Sequence, residues 1–436
     1  MGELSSHFKS RNPSAIRLAQ IEYAKRTDNV GVVNTAIGNV SLPMHPAMQK
    51  RMFNLNSENS PFRGGVVKYT ATIGLEETNK AFLNIISSSG FDTQKLFSQI
   101  TDGGSQSMEL VIIGCCGRPG TSEKPLLLID AAYTNYKAMA SRLGRTTVSI
   151  VRNLDEQGKF SLPDIEKIES VIQEFKPGAL VVIPYDNPTG QFYDLEIFKK
   201  LAELCVKHNM WLISDEAYRE LHYVKHDTVS VWGITNKEVP GIEGRRISIE
   251  TTSKVWNACG LRIGALITDN IEFHQKAIAE NTASLCSNSI GQYIAGALAH
   301  VPHNELNEWY EKQRAYYFSM MKQMTQEFKN LMPDIIISNP EASIYSVIDV
   351  RKMVDDDFDS LDFVKYCATK GKVEMDGEFV TLLVSPMGGF YSIKSGEPNP
   401  GKTQMRIAYV ASPAEMAKVP MLFKELFNQY LNLNND

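Results

Sequence analysis

The sequence has no run of 18 apolar residues, so no membrane-spanning helix is expected. It also lacks an excess of positive charge: 45 Lys and Arg stand against 50 Asp and Glu, a net charge of −5. Nucleic acid is held by a concentrated positive field, so it is excluded as the main partner. The first residues, MGELSSHFKSRNPS, contain no apolar core of a secretory signal. They match the loose M-G-x-x-x-[ST] acylation pattern through Gly2 and Ser6, but three fixed positions in six recur by chance, and no lipid anchor is expected.

Disulfide and metal signatures are equally scarce. The six cysteines (Cys115, Cys116, Cys205, Cys259, Cys286 and Cys367) form no C-x-x-C and lie mostly in apolar runs, which reads as reduced thiols in a cytoplasmic protein. The eight histidines include no H-E-x-x-H. His222 and His226 are four apart, but no carboxylate is spaced to complete a metal site, so packing or surface roles are expected. Internal repeats and low-complexity tracts are absent. One apparent motif is a decoy: GEPNPGKT, Gly396 to Thr403, matches G-x-x-x-x-G-K-[ST]. Its Pro398 and Pro400 remove N–H donors that such a loop needs, and the strand-like QMRIAYV follows where a helix should begin.

What is present is a chain of 436 residues with 43% hydrophobic side chains, long enough for more than one core. From Leu83 to Thr268, short apolar runs (Leu126–Ile129, Val148–Val151, Leu180–Ile183, Trp211–Ile213, Ile247–Ile249 and Ile263–Ile267) alternate with amphipathic helical patterns. In DLEIFKKLAELCVKH, for example, Leu195, Phe198, Leu201, Leu204 and Cys205 share one face. That alternation predicts an α/β fold whose large domain is a mostly parallel sheet covered by helices. After Val301 a helical stretch of about 29 residues without Gly or Pro leads to shorter strands and a terminal helix, a smaller α+β domain. No separate core is visible before residue 40, so the N-terminal segment should pack with the smaller domain. The expected division is 1–60 for that segment, 61–303 for the large domain, and 304–436 for the interdomain helix and small domain. The acidic run Asp355, Asp356, Asp357 and Asp359 reads as a solvated loop ahead of a helix capped by Ser360.

Three clusters follow strands of the large domain, where open α/β sheets place their ligands. In YDNPTG, Asn187 precedes a proline, which holds its backbone extended. In SDEAY, Asp215 ends a buried strand, where a carboxylate stays ionised only beside a cation or strong donor. In ETTSKVWNACGLRIG, Lys254 sits in a hydroxyl-rich turn eight positions before Arg262, which suits an anionic ligand and an amine able to attack a carbonyl. Each alone also fits a turn, a helix cap or a surface lysine.

Together, Asn187, Asp215, Tyr218, Lys254 and Arg262 resemble in order and spacing the pyridoxal-phosphate enzymes of the class I/II (fold type I) aminotransferase family, with 28 positions from Asn187 to Asp215 and 39 on to Lys254. The resemblance implies that Lys254 binds the cofactor covalently and later acts as the base, and that Asp215 partners its ring nitrogen. It implies that Asn187 and Tyr218 bind the ring hydroxyl, and that Arg262, Thr251 and Ser253 clamp the phosphate with the N–H groups of Gly104, Ser105 and Gln106. Tyr133 would stack on the ring, and Tyr69 would reach the phosphate of a neighbouring subunit in a homodimer with shared active sites. Gly38, Asn187 and Arg406 would hold the substrate, Arg406 by its α-carboxylate. The implied reaction is ping-pong transfer of an amino group between an L-amino acid and a 2-oxo acid, with no metal. The chain departs from aspartate-type relatives in lacking an arginine in AENTASLCSN and in having Ser105 where a lysine can stand. The usual glycine pair before SIYSVIDV is Glu341-Ala342, which bears on how the small domain closes. A lyase or decarboxylase on the same cofactor is the alternative. A cofactor-sensing transcription regulator is not expected, because only about 30 residues precede NTAIGN and no basic recognition helix is present.

Overall fold

Strands apolar on both sides need a helical layer on each, and this requirement organises the larger part of the protein. The computed structural model describes residues 2–162, 164–394 and 396–433. The larger compact unit comprises Asn39–Ser319 with Pro340–Ile344. Its sheet has seven strands: β1 (Phe97–Asp102), β2 (Thr121–Asp130), β3 (Arg145–Val151), β4 (Ala179–Val182), β5 (Trp211–Asp215), β6 (Arg246–Thr251) and β7 (Ile263–Thr268). Their order is β1-β7-β6-β5-β4-β2-β3. The run from β6 to β3 is parallel throughout, while β7 is antiparallel to both its neighbours. Every residue of β4, β6 and β7 is buried. The edge strand β1 is missing from the apolar runs above, because Ser98, Gln99 and Thr101 mask it; all three are nonetheless buried.

Helix α1 (Gly103–Cys115) follows β1, α2 (Thr134–Arg142) follows β2, and α3 (Leu195–Lys207) follows β4. In α3, Asp194 caps the first turn by accepting from Ile197 N at 2.9 Å. Phe198, Leu201, Leu204 and Cys205 are buried as their spacing predicts, whereas Leu195, in the first turn, is exposed. Because β2, β4, β5 and β6 run the same way, the loops after them emerge at one end of the sheet.

The long helix α4 (His303–Leu331) has 29 residues, of which those from Met320 onward belong to the smaller unit. That unit also takes the chain up to Gly38, the stretch to Asn339, and everything from Tyr345. In it, Gly31–Asn34 pairs in parallel with Glu378–Leu383, Gly31 opposite Val380. A second sheet joins Ile336–Ile337, Tyr345–Asp349, Gln404–Ala408 and Ser385–Pro386. The helices Ser360–Thr369 and Pro413–Leu433 pack through Phe363, Phe423 and Phe427, with ring centroids 5.5–5.7 Å apart. Residues 39–60 cluster with the larger unit rather than the smaller, and Arg51 in the helix Pro46–Phe53 pairs there with Glu77 at 2.7 Å. The cap of Ser360–Thr369 is Asp359, which accepts from Leu361 N; the Ser360 hydroxyl instead donates to Gly401 O. GEPNPGKT contains only a short turn, Pro400–Lys402, before the strand Gln404–Ala408. Among the described residues no helix is long and apolar enough to cross a membrane.

Candidate active site

An anion cradle forms where α1 begins. No side chain caps this helix, so the N–H groups of its first turn are left for a ligand. A Cβ at Gly103, whose φ is +69°, would lie 2.5 Å from Arg262 Nη2, and one at Gly264 would lie 2.6 Å from the Gly103 carbonyl carbon. These glycines let the exposed Arg262 guanidinium rest directly against the helix start. Arg262 itself has a φ of +53° and donates to Cys259 O at 3.1 Å. Thr251 and Ser253, both buried, hydrogen-bond each other at 2.8 Å at the end of β6. A cation, two hydroxyls and free N–H groups form the donor set that a phosphate takes. The Gln106 side chain does not face this corner: it accepts from Asp102 N at 2.8 Å and donates to Asn281 Oδ1 at 2.9 Å.

Asp215 closes β5. Its carboxyl is pushed up to about 6 by burial, against which work the hydrogen bonds from the Tyr136 hydroxyl and Ala217 N; Glu250 and Asp186 raise it further by repulsion. A carboxylate in such surroundings is relieved by a cationic partner, and a protonated ring nitrogen would be one. The next β-strand loops supply the rest. Asn187 is buried after β4 and donates from Nδ2 to the Tyr218 hydroxyl at 3.2 Å. Tyr133 precedes α2, and its ring meets that of Tyr136 edge-on at 5.4 Å. Lys254, half-buried, follows β6 and shares the turn with Thr251 and Ser253.

The smaller unit holds two more of the named residues. Gly38 is buried. Arg406 is 3% exposed, donates from Nη2 to Ala36 O at 2.7 Å, and lies over the rings of Tyr345 (4.3 Å) and Phe390 (5.2 Å). Tyr69 stands apart, 80% exposed, on a segment held to the helix Ser289–Gly296 by bonds from Ser289 to Lys68 O and from Gln292 to Thr70 Oγ1.

Three features escape a reading of the sequence. Tyr136, the donor to Asp215, sits in the first turn of α2, and nothing in its spacing marks it for that role. Arg152, 1% exposed, pairs with Asp186 at 2.9 Å and donates to the Tyr193 hydroxyl at 2.8 Å. Arg219 is buried between Glu216 and Glu250 behind Asp215. No cluster of three His, Cys, Asp or Glu among the described residues could hold a metal.

Residues 55–389 match the family described as aminotransferase class I and II. The aspartate aminotransferase of Thermotoga maritima is 25% identical over 70% of this chain and 72% of its own length. A Bacillus subtilis relative is 26% identical over 53% of this chain, and the match spans only 57% of that relative. Among solved structures, the N-succinyldiaminopimelate aminotransferase of Mycobacterium tuberculosis superposes with a TM-score of 0.79 at 18% identity, covering 97% of this chain and all of the other. A kynurenine aminotransferase of Pyrococcus horikoshii, solved in complex with PMP, gives 0.77 at 19% identity, over 98% and 97% of the two chains. At such identities the superpositions establish the fold alone.

Proposed function

The chain belongs to the aminotransferase class I and II family, whose cofactor is pyridoxal 5'-phosphate, and from that premise we propose that it transfers an amino group between an L-amino acid and a 2-oxo acid. The observation that carries the reading is the convergence, at one end of the sheet, of a half-buried acid, a lysine and an anion cradle. The residues fit the cofactor: Arg262, Thr251, Ser253 and the N–H groups of Gly104, Ser105 and Gln106 would hold its phosphate. Asp215 would keep its ring nitrogen protonated, Asn187 and Tyr218 would bind its ring oxygen, Tyr133 would cover its face, and Lys254 would link to it. When bound, the cofactor supplies a sink for the electron pair released at the substrate's α-carbon. Lys254, as a free amine beside the substrate, would take the α-proton and give it back on the cofactor side. Asp215 would stay ionised against the protonated ring nitrogen. A screen of single half-reactions against the common amino acids tests this. The expected products are a 2-oxo acid and the aminated cofactor; release of ammonia or carbon dioxide instead would overturn it in favour of a lyase or decarboxylase.

Arg406 supports the substrate side of the reading: a buried guanidinium bracketed by two rings is desolvated and rigid, as a carboxylate receptor must be. Arg406→Lys is expected to raise KM for every amino acid by roughly tenfold or more, since lysine keeps the charge but loses the bidentate fork. Cofactor affinity should be unchanged. A rise confined to one amino acid would assign Arg406 to side-chain selection.

We also infer a homodimer with shared sites, supported by Val66, Val67 and Tyr69, each more than half exposed on one segment. Chains carrying Tyr69→Phe and Lys254→Ala, unfolded and refolded together, should form hybrids with one intact site and exceed the activity of either parent. An active monomer, or no gain on mixing, would exclude sharing. Six cysteines without a disulfide suit the reducing cytoplasm proposed for it.

A further inference from the structure

Residues 340–344 cluster with the larger unit although the chain on either side of them does not. Backbone hydrogen bonds tie the segment in. Glu341 N and Ala342 N both donate to Gly190 O at 2.8 Å, Tyr223 N donates to Glu341 O at 2.8 Å, and Ser343 N donates to Leu221 O at 2.8 Å. The Tyr223 hydroxyl adds a bond to Ser343 O. Ser343 is fully buried, and its φ of +58° lies in the left-handed region that side-chain-bearing residues avoid. Glycine would sit there without strain. What serine contributes instead is a hydroxyl, and that hydroxyl donates to Asp186 O at 2.8 Å.

The recipient is the residue on which the Asn187 loop closes. Asp186 O already accepts from Gly190 N at 3.0 Å, so burial alone does not require a second donor. Asp186 N donates to Gln191 O at 2.9 Å. Its carboxylate accepts from Thr189 N at 3.2 Å and from the Thr189 hydroxyl, and pairs with Arg152 at 2.9 Å. Asp186 is thus held at its N–H, its carbonyl and its carboxylate. Its carbonyl and the Asn187 N–H belong to one rigid peptide plane, so tilting the former re-aims the Asn187 side chain. That side chain is 4% exposed and has little room to recover.

We propose that Ser343 is a positioning residue: its hydrogen bond to the Asp186 carbonyl fixes the Asp186–Asn187 peptide and thereby aims the Asn187 amide at the ring oxygen of the cofactor. The role rests on the pyridoxal-phosphate reading above. It is tested in the loaded protein by titrating the absorbance band of the bound cofactor with pH, for wild type, Ser343→Gly and Ser343→Ala. A donor to an ionised oxygen favours the ionised form, so weakening that donor raises the titration midpoint, here by about 0.5–1 pH unit. Both variants should shift upward together. The glycine variant is free of the positive-φ strain and keeps the fold measurable by circular dichroism. If Ser343→Gly titrates at the wild-type pH, whatever the alanine variant does, the hydroxyl does not position Asn187 and the proposal fails while the cofactor assignment stands. If the wild-type chain takes up pyridoxal 5'-phosphate without any pH-dependent band, the reading beneath it fails as well.

Discussion

Lys254→Ala is expected to lower amino-group transfer by roughly a thousandfold or more, since in the proposed site the change would remove both the covalent attachment point and the base. The purified variant should also lose the absorbance that the cofactor gains on linkage to protein, at the edge of the visible range. Folding should be little affected, because Lys254 is only half-buried at the end of a strand whose preceding residues carry the packing. Three measurements separate the cases: steady-state rate, absorbance of the loaded protein, and thermal midpoint of the apoprotein. A variant that transaminated near the parent rate would remove Lys254 from the role of base.

The second large effect belongs to Asp215→Asn, and it has opposite signs in activity and stability. Activity should fall by roughly a hundredfold or more, because an amide cannot keep a ring nitrogen protonated and the electron sink is lost. Saturating cofactor should not restore it; full rescue would mean that Asp215 only retains the cofactor. Stability of the apoprotein should move the other way. The Asp215 carboxyl is raised to about 6 in the folded chain from an ordinary value of 3.8, so the folded state binds its proton more tightly than the unfolded state does. That contribution is fully present below pH 3.8 and is lost as pH rises through about 6. At pH 7–8 the ionised, desolvated carboxylate therefore destabilises the apoprotein, by an amount on the order of 2–3 kcal/mol. The amide has no such cost. Urea unfolding of the two apoproteins should show the variant more stable at pH 7.5, with the gap closing toward pH 4. A gap that stays constant across this range would show that the burial of Asp215 is relieved by its donors alone, without need of a cation.

The α/β class was legible because parallel strands buried on both faces are mostly apolar, which is why the runs at Leu126, Trp211 and Ile247 fall within β2, β5 and β6, and that at Leu180 overlaps β4 to within one residue. Asn187, Asp215 and Lys254 could be proposed for the site because they follow such runs, and the others because their order and spacing resemble a family pattern. The edge strand β1 was hidden, since its polar residues are enclosed only once β7, more than 160 positions away, pairs with it. So was the pairing of Gly31–Asn34 with Glu378–Leu383, as no local pattern encodes a partner more than 340 positions away. The sequence by itself thus determined the layer architecture and supplied the residues proposed for the site, because apolar periodicity and strand-end placement are local properties of the chain. Only the tertiary structure decided how those residues are held: Tyr136 on Asp215, Arg152 and Ser343 on Asp186, and the Gln106 side chain turned away from the cradle. Hydrogen-bond partners are chosen by three-dimensional proximity in a desolvated interior, where an unmet donor or charge is costly, and proximity across a fold is not written in spacing.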